Sequence, residues 1–143
     1  MAGYPGQQAT YAPSAQKRYA TEAASSLSPT RALVALYDRL VLDLDRATAA
    51  ITARDNDKAH HALVHAQEIV TALGDALDVD AWPEGQGLAA VYDYLGIELV
   101  AANLAKDANR VAACRNIVEP MRVTWREAAG LVGTAGDPGG QVA

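Results

Sequence analysis

The stretch LVALYDRLVLDLDRA at residues 33–47 returns at residues 88–102 as LAAVYDYLGIELVAA, 55 positions later. Leu33/Leu88, Ala35/Ala90, Tyr37/Tyr92, Asp38/Asp93, Leu40/Leu95, Leu44/Leu99 and Ala47/Ala102 coincide. In both copies the apolar residues recur at three- and four-residue steps, the period of one face of an α-helix. The repeat predicts that each copy opens a helical hairpin, the two hairpins packing with approximate twofold symmetry.

The intervening sequence supplies the partner helices. Ser28 followed by Pro29 is a start signal, with the serine as N-cap and the proline in the first helical position. Arg31 stands where a capping-box Glu would complete the motif. The first helix carries Leu33, Tyr37, Leu40, Leu44, Ala47 and Ile51, and Arg54-Asp55-Asn56-Asp57 ends it and caps the second. Ala59, Ala62, Ala66, Ile69, Leu73 and Leu77 mark the second stripe. DVDAWPEGQG, residues 78–87, is the one long connection, with Pro83, Gly85 and Gly87 as breakers. The third helix turns near Lys106-Asp107. The fourth carries Val111, Cys114, Val118, Met121, Trp125 and Ala128, and Pro120 inside it is expected to kink it or leave a carbonyl unpaired. No strand-like alternation of useful length is present. The fold expected is all-α, an antiparallel up-down four-helix bundle over residues 28–131. A flexible arm, residues 1–27 with Tyr4, Tyr11 and Tyr19, precedes it, and a Gly-rich tail, residues 132–143, follows.

Composition excludes several classes of function. The chain has 143 residues, half of them hydrophobic and 20% charged, which is globular usage for one domain. A net charge of −5 with basic residues scattered singly does not suit nucleic acid. Cys114 is the single cysteine, which fits a reducing compartment. No secretory signal core and no continuous run of about 18 apolar residues is seen, so a cytoplasmic protein is expected.

Catalytic chemistry finds no support. His61, His65 and Glu68 share a helical face at ligand-like spacing, but the segment His-Ala-Leu-Val-His lacks the Glu of a zinc peptidase. No other helix offers the Glu-x-x-His partner of a di-metal bundle. The face reads as a solvated one. Cys114 falls on an apolar stripe and reads as a packed thiol. Gly85-Gln86-Gly87 is a turn before a helix, not a phosphate loop. Asp43/Asp45 and Asp78/Asp80 read as helix surface and helix end. The expectation is a protein that is not an enzyme, with no metal and no cofactor.

Surplus apolar surface remains. Helix one adds Val34, Val41 and Leu42 to its stripe, and helix three adds Tyr94, Ile97, Val100 and Leu104. This surplus fits either a wide core face or a groove for a partner helix.

SPTRALVALYDRL resembles the opening ASPxxLLxxLYD helix of the FliS-type flagellin export chaperones. ALVHAQEIVTAL is similar to their second helix, A-x-x-x-A-Q-D/E-I-I-x-x-L. LAAVYDYLGIELVAAN is similar to their third, L-x-x-L-Y-D-Y-x-x-x-x-L-x-x-A-N. Tyr19 lies where the family places a tyrosine in its arm, and Trp125 where it places a late tryptophan. The resemblance spans roughly residues 19–129; the Glu expected after Ser-Pro is absent, and Pro120 departs from the pattern. It implies an antiparallel four-helix bundle in the cytosol, without cofactor or stable membrane insertion. It implies binding of the disordered C-terminal segment of flagellin, prevention of premature polymerisation, and delivery to the flagellar export gate. Tyr19 would cap the groove. Val34, Val41, Gln67, Tyr92, Tyr94, Leu95, Leu99 and Asn103 would line it, although the Gln67 and Asn103 amides suit hydrogen bonds within the bundle equally well. The free chain is expected to be a monomer or weak homodimer. A structural subunit that oligomerises through its surplus apolar face is the alternative.

Overall fold

A computed structural model describes residues 28–78 and 80–131; the arm with Tyr19, the tail and Val79 lie outside the described residues. Four helices account for nearly all of it: α1 (Pro29–Thr52), α2 (Asn56–Ala76), α3 (Gly85–Ala105) and α4 (Ala108–Ala128). There is no strand among the described residues.

The sequence signals explain the boundaries. The Ser28 side chain accepts from the Arg31 amide at 3.1 Å, and Pro29 occupies the first turn. Asp55 caps α2 by accepting from the Lys58 amide at 3.1 Å. Lys106 ends α3 in the left-handed conformation, and Asp107 then accepts from the Asn109 amide at 2.9 Å to start α4. The longer connection departs from expectation, because α3 begins at Gly85 and takes Gly85 and Gly87 into its first turn. The first-turn amides have no intrahelical acceptor, so glycine is easily accepted there, and Gly85 is buried. Pro120 is exposed, and α4 runs on through it to Ala128. Lacking an N–H, Pro120 leaves the Asn116 carbonyl without its helical donor, while the Thr124 hydroxyl donates to the Pro120 carbonyl at 3.0 Å.

The helices form a ring: α1 packs on α2 and α4, and α3 packs on the same two. Asp45 meets Arg115 while Asp38 meets Arg122 and Arg126, so α1 descends as α4 rises. On the other side His60 meets Asn103, and Val70 and Gly74 share a groove with Tyr92 and Ala89, again in antiparallel order. The core is filled by Tyr37, Leu40 and Leu44 of α1, Leu63, Ala66 and Leu73 of α2, Tyr92, Leu95 and Leu99 of α3, and Val111, Cys114 and Val118 of α4.

The repeat finds its reason at the centre. The hydroxyls of Tyr37 and Tyr92 hydrogen-bond each other at 2.6 Å, both rings being buried. Two equivalent positions on diagonally opposed helices thus satisfy each other's polar atoms inside an apolar core. Their aspartate neighbours do not share a role: Asp38 pairs with Arg122 at 2.8 Å and Arg126 at 3.1 Å, whereas Asp93 is exposed on the rim of the α2–α3 groove.

Candidate partner-binding surface

Helix α3 is apolar on all sides, and the bundle consumes only part of it. Tyr92, Leu95, Leu99, Ala102 and Asn103 point inward. Tyr94 (48% exposed), Ile97 (69%), Val100 (45%) and Leu104 (84%) point out. By length and composition α3 is long and apolar enough to cross a membrane, although Asp93 and Glu98 interrupt it. As the sequence led one to expect, it holds no continuous apolar run of bilayer-spanning length.

Beside this face lies a groove of about 600 Å³ between α2 and α3. Val70, Thr71 and Gly74 line one wall, and Ala89, Tyr92, Gly96, Ile97 and Val100 the other, with Asp75 and Asp93 also bordering it. Nothing lies within 4 Å of a Cβ built on Gly74 or Gly96. Gly96 in the middle of α3 and Gly74 in the last turn of α2, both facing open space, let a partner's backbone come close.

The residues expected to line a groove are divided by the fold. Tyr94 is on the exposed face, and buried Tyr92 forms part of the groove wall. Val34, Val41, Leu95 and Leu99 are buried, at 2%, 7%, 1% and 1% exposure. Gln67 is half-buried in a shallow depression with Val64, Glu68 and Thr71. Asn103 is buried and engaged inside the bundle: its amide nitrogen meets His60 Nδ1 at 3.0 Å and its side-chain oxygen accepts from Lys106 Nζ at 2.8 Å.

One expectation is corrected. Asp43, read as helix surface, is 2% exposed. A carboxylate can be buried there because it accepts from Arg39 Nε at 3.1 Å and is paired with His65 Nδ1. Its neighbour Asp45 is exposed and meets Arg115 across to α4. Of the face read as solvated, His61 and Glu68 are exposed, whereas His65 is half-buried and paired with Asp43. Burial, and secondarily the Glu98 charge, pushes the Cys114 thiol up to about 11. The α2–α3 groove itself was missed by sequence reasoning. Its one sequence signal is the pair of helix-interior glycines, Gly74 and Gly96.

Two comparisons with known proteins bear on the family. A family model described as Flagellar protein FliS matches residues 11–131. The Flagellar secretion chaperone FliS of Bacillus subtilis (strain 168) is 26% identical over 110 residues, which is 77% of this chain and 82% of that protein. With the match running through all four helices and the Tyr-Asp repeat, the chain belongs to the FliS family of flagellar proteins.

Proposed function

We propose that this chain, a flagellar secretion chaperone by family, binds the C-terminal segment of flagellin in the cytoplasm, keeps it from polymerising early and assists its delivery to the export apparatus. The observation that carries this reading is the outer face of α3. Four large apolar side chains, Tyr94, Ile97, Val100 and Leu104, stand exposed on one helix beside a groove open to a second backbone. Such a surface suits an amphipathic helix laid along it. A client disordered alone and helical when bound would bury on the order of 1,000–3,000 Å² while its ordering cost keeps it releasable. The role is binding, not catalysis. In this reading Tyr92 and Tyr94 are direct contacts, Gln67 and Asn103 flank them, and Val34, Val41, Leu95 and Leu99 hold α3 in place from within. Tyr19 is the cap that gives way to the client.

Titrating the full chain with a peptide of the last ~40 residues of flagellin, followed by calorimetry and circular dichroism, tests the reading. The expected result is saturable one-to-one binding with a gain in helix and a negative heat-capacity change. Ile97→Asp leaves the fold intact and weakens binding at least about tenfold. Absence of binding, or binding indifferent to Ile97→Asp, refutes it. The same face could instead join copies of the chain, and sedimentation of the free protein decides between the two: a concentration-independent oligomer that ignores the peptide would favour self-assembly.

A further inference from the structure

A second concavity, of about 740 Å³, runs between α1 and α2 and has a different chemistry. One wall carries Arg39 and Arg46, the other Lys58, His61 and His65, in a chain whose net charge is −5. Alanines 49, 50, 53 and 62 also line it. The two carboxylates present, Asp43 and Asp55, are already committed. Asp55 caps α2 and lies 4.0 Å from Lys58 Nζ. Buried Asp43 holds Arg39 and His65. That buried anchor is what makes this a built site, since it fixes a guanidinium and an imidazole at the trough in advance of any ligand. Arg39 uses its Nε–H on Asp43, which leaves the terminal N–H groups of its five donors for another acceptor. Arg46 has no ion-pair partner among the described residues.

We propose that this trough docks an acidic helical segment of a partner protein. The spacing selects a helix over a compact anion. Arg39 and Arg46 are seven residues apart on α1, about 10.5 Å along the axis, and Lys58 to His65 covers the same length of α2 in three- and four-residue steps. A partner helix with carboxylates at i, i+3 or i+4, and i+7 presents charges at that repeat on one face. The small side chains let its backbone settle close. A phosphate or single carboxylate would engage one end only. The trough lies on the α1–α2 side, and none of the residues lining it belongs to α3. It is therefore separate from the apolar surface assigned to the client, and both can be filled at once.

The probe is a synthetic alanine-based helical peptide with Glu at i, i+3 and i+7, added to the full chain at low salt, with its Gln counterpart as control. Backbone amide NMR reads both place and affinity. Saturable shifts confined to residues 39–65, a Gln peptide at least about tenfold weaker, and a similar loss in Arg46→Glu are expected. Arg46 is exposed, so this variant keeps its fold, which circular dichroism verifies. Affinity for the Glu peptide is unchanged when the α3 face is saturated with flagellin peptide, and the assignment stands on its own if that peptide does not bind. Equal binding of the Gln peptide, indifference to Arg46→Glu, shifts centred on α3, no binding, or identical shifts from inorganic phosphate at the same concentration would each overturn the proposal.

Discussion

Tyr37 and Tyr92 show how much a single pair of atoms carries in this bundle. Their hydroxyls, 2.6 Å apart, bond each other in a largely aliphatic core, with Trp125 a further partner of Tyr37. Tyr37→Phe strands the Tyr92 hydroxyl, at about 1–3 kcal/mol, Tyr92→Phe costs less because Tyr37 keeps Trp125, and the double variant costs less than the sum of the singles. Urea unfolding of the four proteins measures that coupling. Burial raises both phenols above their ordinary value, before any effect of one on the other. A group whose acid form is favoured by folding destabilises the native state once the unfolded chain ionises. Stability is therefore expected to fall as pH rises above about 10, and to fall less in the double Phe variant. The repeat made these two residues legible in advance, and made their aspartates look equivalent when they are not. The difference is set by Arg122 and Arg126, which are 84 and 88 residues from Asp38 and reach it only through the fold. Asp43 was unreadable for the same reason: nothing local announces that His65 will face it.

Among the elements, α3 and α4 depart most from the ideal amphipathic helix. In α3 the sequence already displayed the surplus of Tyr94, Ile97, Val100 and Leu104, but could not say which apolar residues faced inward, because a helix apolar all round has no polar side to orient it. The fold settles it: Leu95 is 1% exposed and Ile97 69%. Leu95→Ala should cost about 2–5 kcal/mol of stability, while Ile97→Asp should change it by about 0.5 kcal/mol or less. In α4 the helix continues through Pro120, which leaves the Asn116 carbonyl without its helical donor, one of the two outcomes expected there. Pro120→Ala should therefore stabilise the protein by about 1–3 kcal/mol, by restoring the amide that the Asn116 carbonyl lacks, with no packing lost at an exposed site. Thermal unfolding of that variant measures the gain. The same substitution leaves client binding unchanged if the α3 face is the site.

At the scale of the molecule, four helices, their order and most caps were legible because Ser28-Pro29, Asp55 and Asp107 are local signals, whereas the grooves arise only where helices meet. Charged side chains cross the α1–α4 seam outside its apolar core. Asp38, Glu119, Arg122 and Arg126 interlock there, and the paired Arg122 lowers the Glu119 carboxyl from its ordinary value. A carboxyl lowered by folding adds stability that is complete above the unfolded value and disappears as pH falls through the folded one. The helix should thus lose stability in acid as Glu119 is protonated, and hydrogen exchange at about pH 3–4 should show α4 amides losing protection ahead of α2. The all-round apolar character of α3 also bears on the protein's birth. Its 21 residues extend about 31 Å as a helix, the thickness of a bilayer's hydrocarbon interior. The nascent chain exposes α3 before α4 has been made, when the segment presents itself as cargo for lipid insertion. Asp93 near its middle, which costs about 2.5–3.5 kcal/mol in that setting, weighs against insertion at that stage.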